Sequence, residues 1–370
     1  MTEEKFSNLA VVDELFHRNC PFAIYRIPGE EHVHLLLQTT DKECRTTDRI
    51  EDLNGKKGFV IAPFHPANDT PVVLIEPDRR ERILWSDADR MTAEECLKER
   101  DSFLHISGQL PMASCTDEYA DCFRRFSGAL QRKEFDKLVL SRSASFGKPD
   151  GFSPLAAFRM ACRRYVYSYV YLCYTPQTGI WLGSTPEIIL SGEKEEWRTV
   201  ALAGTQPLQE GKLPQHWDEK NRMEQAYVAS YIRNCLLSLG IEVEESAPYP
   251  TYAGALSHLK SDFRFALADR SILGSLLDRL HPTPAVCGLP KEEAYRFILE
   301  NEGYARSYYS GFVGWLDPDG RTDLYVNLRC MHIGEEKLTL YAGGGLLASS
   351  RLEDEWQETE KKMQTMRGIL

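Results

Sequence analysis

Short runs of apolar residues, some unbroken and some alternating with polar residues, mark the first part of the chain. Between turn residues, such runs predict β-strands. They lie at Phe22–Arg26, Val33–Leu37, Phe59–Ala62 and Val72–Ile75. A helical spacing predicts a short helix at Asn8–Arg18. The charged segment Glu76–Ser102 predicts a loop with a helical piece at Thr92–Arg100.

The rest of the chain has clearer signals for helix starts and for longer strands. Helices are predicted from Thr116 to about Arg132, from Ser153, and at Asp218–Leu239, Ser271–Leu280, Lys291–Asn301 and Glu353–Leu370. Strands are predicted at Asp136–Phe146, Tyr165–Tyr174, Gly179–Gly183, Glu187–Ser191, Trp197–Ala203, Tyr309–Leu316, Asp323–His332 and Leu338–Ala342. The elements do not alternate regularly and a hairpin is present, so the pattern favours a large α+β fold with antiparallel sheets.

Composition narrows the class of protein. The 370 residues carry 44 Lys and Arg against 55 Asp and Glu, a formal charge of −11. A nucleic-acid surface would need a basic stripe, so the balance argues against that partner. No signal peptide or membrane span is evident, and the ten cysteines contain no Cys-x-x-Cys pair. We therefore expect a cytoplasmic protein with reduced thiols.

Several charged residues stand where they could act chemically. Glu224 heads the apolar stripe of its predicted helix, where a carboxylate needs a cation or donors. On spacing alone, a solvated position near the helix start, favoured by the helix dipole, is the preferred alternative. In the last helix, Glu355 and Glu358 lie one turn apart and could ligate a hard cation such as Mg²⁺. The alternative is a solvated face with a Glu358–Lys362 pair.

Three further features have both a chemical and a structural interpretation. The run Gly343-Gly344-Gly345 after a strand allows backbone amides to approach an anion, or forms a simple turn or bulge. Arg329 is predicted on the polar face of a strand, where it could clamp a carboxylate or lie at the surface. Lys137 within a β-rich segment could face a pocket and act as a base, or lie at a strand edge.

In this order, the motifs resemble those of the chorismate-utilising enzymes. The resemblance covers about residues 114–370 and rests on eight blocks, namely Lys137–Arg142, Gly183–Glu187, Ala201–Thr205, Glu219–Gln225, Leu280–Gly288, Tyr325–Arg329, Tyr341–Gly345 and Glu355–Thr359. It implies two facing antiparallel β-sheets surrounded by helices, as in anthranilate synthase component I. Residues 1–113 match loosely and are expected to belong to the same domain.

The resemblance also assigns roles to residues. It implies that Mg²⁺ is held by Glu224, Glu355 and Glu358, and that Arg329 and Gly343, Gly344 and Gly345 contact substrate carboxylates. Thr205, His281 and Lys362 are further expected substrate contacts. Members that add water carry a lysine at the place of Lys137, which is expected to be the general base, with Glu187 as the general acid.

The activity implied is that of an isochorismate synthase. Chorismate takes up water at ring carbon 2 and loses its carbon 4 hydroxyl, in a reversible reaction. A salicylate-forming synthase, which also loses pyruvate, is the nearest alternative; an anthranilate-synthase-like subunit and a non-enzymatic family member follow. We expect a monomer without a glutaminase partner, and the sequence leaves both menaquinone and siderophore biosynthesis open.

Overall fold

A computed structural model of the chain describes residues 12, 15–16, 18–40, 43–89, 115–209, 211–253 and 256–370. The predicted helical piece at Thr92–Arg100 lies outside these residues, as does most of the predicted helix at Asn8–Arg18.

Strands make up most of the regular structure in the described part of the chain. They are β1 (Phe22–Arg26), β2 (His32–Leu37), β3 (Arg45–Thr47), β4 (Gly58–Ala62), β5 (Val72–Ile75), β6 (Arg79–Leu84), β7 (Lys137–Gly147), β8 (Tyr169–Thr175), β9 (Gly179–Thr185), β10 (Ile188–Glu193), β11 (Glu196–Pro207), β12 (Val243–Glu245), β13 (Tyr249–Ala253), β14 (Leu256–Ala266), β15 (Gly288–Leu289), β16 (Phe312–Leu316), β17 (Thr322–Val326), β18 (Cys330–Ile333) and β19 (Lys337–Leu346).

Three of the described helices begin after a residue whose side chain caps them. In chain order, the helices are α1 (Trp85–Ala88), α2 (Asp117–Gln131), α3 (Pro154–Arg164), α4 (Glu219–Ser238), α5 (Leu273–Leu280), α6 (Lys291–Asn301) and α7 (Leu352–Arg367). Thr116, Ser153 and Asp218 accept hydrogen bonds from backbone amides three residues later. Each such cap contributes about 1 kcal/mol, which explains why these starts are readable from the sequence.

The strands form two antiparallel sheets. Among the described residues, the first has nine strands in the order β15-β7-β19-β18-β9-β8-β1-β2-β6. The second has ten, in the order β12-β14-β11-β10-β17-β16-β4-β5-β3, with β13 also paired to β14. Each sheet therefore contains three strands from the described part of the first 90 residues. These are β1, β2 and β6 in the first sheet and β3, β4 and β5 in the second.

The two sheets face each other across an aromatic core. Tyr169 of β8 stacks on Tyr325 of β17 with ring centroids 4.3 Å apart and planes 11° apart. Such a pair contributes about 0.5–1.5 kcal/mol beyond its buried area. Helices α3 and α7 cover the outer face of the first sheet, while α4 and α5 cover that of the second. The predicted fold of two facing antiparallel sheets surrounded by helices is confirmed.

Three local predictions were wrong. The predicted strand Asp323–His332 divides into β17 and β18, which belong to different sheets. The side chain of Asn327 explains the break, because it accepts from the Tyr171 hydroxyl (2.7 Å) and donates to the Tyr308 carbonyl (2.9 Å). Arg329 thus lies in the crossover between the sheets with φ of 44°, not on a strand face.

The segment Glu76–Ser102, predicted as a loop, contains strand β6 and the short helix α1. The charged side chains of β6 are compatible with a strand because the guanidinium of Arg80 covers the Trp315 ring at 4.0 Å. Finally, the glycines at 343–345 are part of β19 and pair with β7 in continuous register, so they form neither a turn nor a bulge.

Candidate active site

A cavity opens between the two sheets near the C-terminal end of β19. The space among its lining atoms amounts to about 640 Å³ when the open mouth is included. Its walls come from β7, β11, β14 and β19, from helices α4 and α7, and from the crossover that holds Arg329. Seven predicted site residues line it: Glu187, Thr205, Glu224, Arg329, Gly343, Gly345 and Lys362.

Glu187 is a buried carboxylic group in this cavity. It follows β9 in a turn that is tied to β17, because Thr185 donates to the Val326 carbonyl (2.7 Å) and the Val326 amide donates to the Glu187 carbonyl (2.8 Å). Burial raises the pKa of Glu187 to about 8, although the positive charges of Lys137, Lys362 and Arg329 act against the rise. Its side chain can therefore carry a proton at neutral pH and donate it.

Lys137 lies behind the cavity wall. It is fully buried at the start of β7, and its Nζ is 2.9 Å from Oε1 of Glu224. Among the described residues the Nζ has no hydrogen-bond partner of good geometry. Burial alone would raise the pKa of Glu224, but the ammonium groups of Lys137, Lys362 and Lys220 outweigh it and hold this pKa below its usual value.

The glycine at position 345 makes room for Glu224. A Cβ on Gly345 would overlap Oε1 of Glu224 and lie 3.0 Å from Cε of Lys137. On the preceding residue, a Cβ on Gly344 would be 3.1 Å from Oε2 of Glu355 and 3.5 Å from Oε1 of Glu358. Successive residues of a strand point to opposite faces. The three predicted carboxylates therefore approach β19 at adjacent glycines, and only Glu224 lines the cavity.

Each of the three predicted metal ligands contacts a lysine. Lys220 lies 2.6 Å from Glu355 and Lys362 lies 2.7 Å from Glu358, in addition to the Lys137–Glu224 pair. In the part of the chain that the structure describes, no three His, Cys, Asp or Glu side chains converge as a metal-holding group. This differs from the expected arrangement, in which the three carboxylates share one cation. Ion pairing explains the difference, since a buried carboxylate needs a counter-charge.

The donor set nevertheless has the chemistry that Mg²⁺ requires. All three side chains offer carboxylate oxygens, and Oε2 of Glu355 is buried with no hydrogen-bond partner among the described residues. Burial and the neighbouring Glu358 raise the pKa of Glu355, and Lys220 offsets part of the rise. Carboxylate oxygens of this kind are the ligands that a hard cation prefers.

Arg329 is held by a histidine that the sequence prediction missed. Its Nη2 lies 2.8 Å from Nε2 of His258, and Nδ1 of His258 lies 2.9 Å from the Gly204 carbonyl. Since Nδ1 must donate to that carbonyl, Nε2 accepts from the guanidinium. Burial, followed by the charge of Arg329, lowers the pKa of His258 well below its usual value, so the ring is neutral.

Thr205 lies beside this pair and is fixed by helix α4. Its amide donates to Oδ1 of Asn221 (2.8 Å), and the Asn221 amide in turn donates to the capping residue Asp218 (2.7 Å). Gly204 has φ of 73°, and a Cβ there would come within 2.9 Å of the Asn221 carbonyl. The start of α4 thus sets the position of Thr205.

Lys362 and Gly343 form another part of the lining. The Lys362 Nζ donates to the Gly343 carbonyl at 2.9 Å. Strand β19 pairs with β7 along its length but with β18 only at residues 338–340. Among the described residues, the other edge of the glycine run therefore faces no strand.

His281 does not reach the cavity. Its Nε2 lies 3.2 Å from the Phe64 carbonyl and its ring meets Phe312 edge-on. Burial lowers the pKa of His281 to about 3. The residue supports the segment that leads to Ala285 and Val286, which do line the cavity.

His258 lies in β14, a strand that was not predicted. The alternation of buried Leu259, Phe263 and Phe265 with polar residues is the signal that could have revealed the strand. It would have placed His258 on the face opposite to these apolar residues, but the sequence alone does not connect that face to Arg329.

The chain is similar to proteins of known type. Residues 74–370 match the family described as chorismate binding enzyme. Isochorismate synthase DhbC of Bacillus subtilis is 29% identical over 302 residues, which cover 77% of this chain and 75% of that protein. Isochorismate synthase EntC of Escherichia coli is 28% identical over 244 residues, or 64% of this chain and 62% of that protein.

The solved structure of DhbC from Bacillus anthracis superimposes with a TM-score of 0.75. The match covers 96% of this chain and 98% of that chain at 22% sequence identity, a likeness of fold. Among the helices that the structure describes, none has the length and apolar character needed to cross a membrane.

Proposed function

The chain belongs to the family of chorismate-binding enzymes, and we propose that it is an isochorismate synthase. In this reaction a water molecule adds to ring carbon 2 of chorismate, the double bonds shift, and the carbon 4 hydroxyl leaves as water. The observation that carries the proposal is the buried Glu187, whose pKa of about 8 gives the cavity a proton donor at neutral pH. The relatives named isochorismate synthase support the same conclusion.

The positively charged residues of the cavity, Arg329 and Lys362, bind the substrate. Chorismate carries carboxylates, and the guanidinium of Arg329 can donate two parallel hydrogen bonds to one of them. His258 fixes the orientation of that guanidinium, so little conformational freedom is lost on binding. Thr205, Lys362 and the free strand edge at Gly343 and Gly345 supply further donors at the same wall.

Glu187 protonates the leaving hydroxyl. Hydroxide is a poor leaving group, so a positioned acid accelerates its departure by about 10²- to 10⁴-fold. Glu187 fits this role because it is 3% exposed and faces the cavity next to Pro186.

Lys137 takes the proton from the attacking water. In the structure its Nζ is covered by Glu224, so Lys137 must leave that contact and pass its extra proton to solvent before the neutral amine can accept one from the attacking water. Movement of the Glu224 carboxylate away from Lys137 is therefore part of the proposal.

Magnesium is the proposed cofactor, held by Glu224, Glu355 and Glu358. When bound, it neutralises the substrate carboxylate and fixes the ring. For these side chains to bind it, Lys137, Lys220 and Lys362 must each give up a contact of 2.6–2.9 Å. Lysines on long flexible stems can make that change without moving the backbone.

The direct test is incubation of purified protein with chorismate and Mg²⁺, followed by chromatography. Isochorismate as the only product supports the proposal. Salicylate with pyruvate would identify a salicylate-forming synthase instead. Anthranilate formed only with added ammonia would identify an amino-transferring member, and unchanged chorismate would refute catalysis.

A further inference from the structure

Arg306 is a buried arginine that the reaction described above does not use. Its side chain is 2% exposed, and Nε and Nη2 donate to the two carboxylate oxygens of Glu302 at 2.6 Å each. The remaining donors reach main-chain oxygens: Nη1 donates to the Val286 carbonyl (2.7 Å) and Nη2 to the Val139 carbonyl (2.9 Å). A planar guanidinium can hold several acceptors in fixed directions, which an ammonium cannot.

The two carbonyls belong to two different walls of the cavity. Val139 lies in β7, two residues after Lys137, and Val286 lies in the segment between α5 and β15. Both residues line the cavity. The Val139 amide also donates to the Cys287 carbonyl at 2.7 Å. Strand β7 and the segment before β15 are therefore hydrogen-bonded to each other next to the Arg306 guanidinium.

Glu302 extends the contact along β7. Its Oε1 accepts from the Ser141 amide (2.7 Å) and from the Ser141 hydroxyl (2.8 Å). That hydroxyl also lies 2.7 Å from the Tyr304 hydroxyl. The Glu302–Arg306 pair therefore holds β7 at two positions, Val139 and Ser141, on the strand that begins with Lys137.

We propose that Glu302 and Arg306 are positioning residues that set the separation between β7 and the wall at Ala285 and Val286. The inference rests on the proposed function, since it assigns Lys137 as the base whose distance to the ring must be maintained. A displacement of about 1 Å at a reacting group can cost on the order of 100-fold in rate. The pair acts through the backbone and touches no substrate.

The first experiment removes both charges together, because a single substitution would leave one buried charge unpaired. In the double variant Arg306→Met with Glu302→Gln, we expect kcat for isochorismate formation to fall at least tenfold, and saturating chorismate does not restore it. The matched control is Arg26→Met. Arg26 is 5% exposed and donates to the Cys162 carbonyl at 2.5 Å, and it does not line the cavity. We expect the control to keep kcat within twofold.

A second measurement requires no turnover. Arg306→Lys keeps the pair with Glu302 but loses the fork that reaches both carbonyls. We expect hydrogen exchange at the Val139 amide to accelerate at least tenfold in this variant, with the amides of β8 unchanged. If the double variant does not fold, this measurement and the milder Ser141→Ala carry the test.

The outcomes separate the two proposals. If wild-type protein fails to form isochorismate, the proposed function is wrong, and the exchange data still decide whether Arg306 joins the two walls. The positioning role is refuted by unchanged exchange at Val139 in folded Arg306→Lys. It is equally refuted by a kcat loss in Arg26→Met as large as that in the double variant.

Discussion

Lys137 and Glu224 meet at 2.9 Å behind the cavity, joining the residue expected to act as the base to a residue expected to bind the metal. Because the carboxylate covers the amine, whatever draws Glu224 towards the cavity also uncovers Lys137. The position of Glu224 would therefore affect both the expected metal ligands and the exposure of Lys137 to the cavity.

Replacing Lys137 by methionine tests the base. The side chain keeps most of its length but loses its amine, so we expect kcat to fall by about 10²- to 10⁴-fold while chorismate still binds. Rates and ligand binding by calorimetry measure the two effects separately. Lys148→Met is the control, because the Lys148 amine contacts the Gly334 carbonyl outside the cavity lining. Full activity of Lys137→Met would remove Lys137 from the mechanism.

If Glu187 is the general acid, kcat for isochorismate formation falls at alkaline pH. The acid form is needed to protonate the leaving hydroxyl, and it is lost as the pH rises through the pKa of about 8. The pH dependence of kcat at saturating chorismate measures this limb. Glu187→Gln is expected to lose activity at every pH, whereas a variant that retained the wild-type profile would exclude Glu187 as the acid.

The same group affects stability with a defined sign. Its pKa is raised from 4.5 in the unfolded chain to about 8 in the folded chain, so the folded state binds more protons between these values. The contribution of Glu187 to the free energy of unfolding is therefore full below about pH 4.5 and declines as the pH rises towards 8. We expect denaturant titrations to show Glu187→Gln gaining stability relative to wild type from pH 5 to pH 8. A constant difference would contradict the raised pKa.

Gly345→Ala should disturb Glu224 without adding or removing charge. The new methyl group would overlap Oε1 of Glu224, so the carboxylate must move away from Lys137. We expect a loss of activity of at least tenfold and a changed Mg²⁺ requirement. Gly147→Ala is a suitable control, since a Cβ there has no heavy atom within 4 Å. Equal activities in the two variants would show that the position of Glu224 is unimportant.

Glu358→Gln tests the metal assignment. Loss of one carboxylate charge is expected to raise the Mg²⁺ concentration needed for half-maximal activity by at least tenfold. Calorimetric titration of Mg²⁺ into the protein supplies a readout without turnover. Glu353→Gln, in the first turn of α7, is the matched control. An unchanged Mg²⁺ requirement in Glu358→Gln would exclude Glu358 as a ligand.

The sequence predicted the starts of three helices more accurately than the ends of some strands. The reason is that helix caps are local contacts, whereas a strand can end because of contacts with residues distant in the chain. Side-chain caps at Thr116, Ser153 and Asp218 depend only on neighbours in sequence, so those helices begin as expected. The break after Val326 depends on Asn327 contacting Tyr171 and Tyr308, which are distant in the chain. No local pattern carries that information.

The candidate site shows the same limit. Motif resemblance identified Glu187, Arg329 and Glu224, which the structure brings to one cavity. It did not reveal His258 as the partner of Arg329, because that contact joins residues 71 positions apart. The lysine partners of the glutamates were partly readable, as the i,i+4 spacing of Glu358 and Lys362 indicates their pair.

The crossover from β17 to β18 limits where the chain can be cut into fragments or given new ends by circular permutation. Both sheets take strands from each end of the chain, and Leu328 and Arg329, in the link between Val326 and Cys330, line the cavity. Fragments cut near residue 114 would each carry incomplete sheets, with hydrogen-bonding edges exposed to aggregation. Circularly permuted variants should tolerate new ends at the exposed residues 335–336, whereas new ends at residues 327–329 should abolish assembly of the cavity.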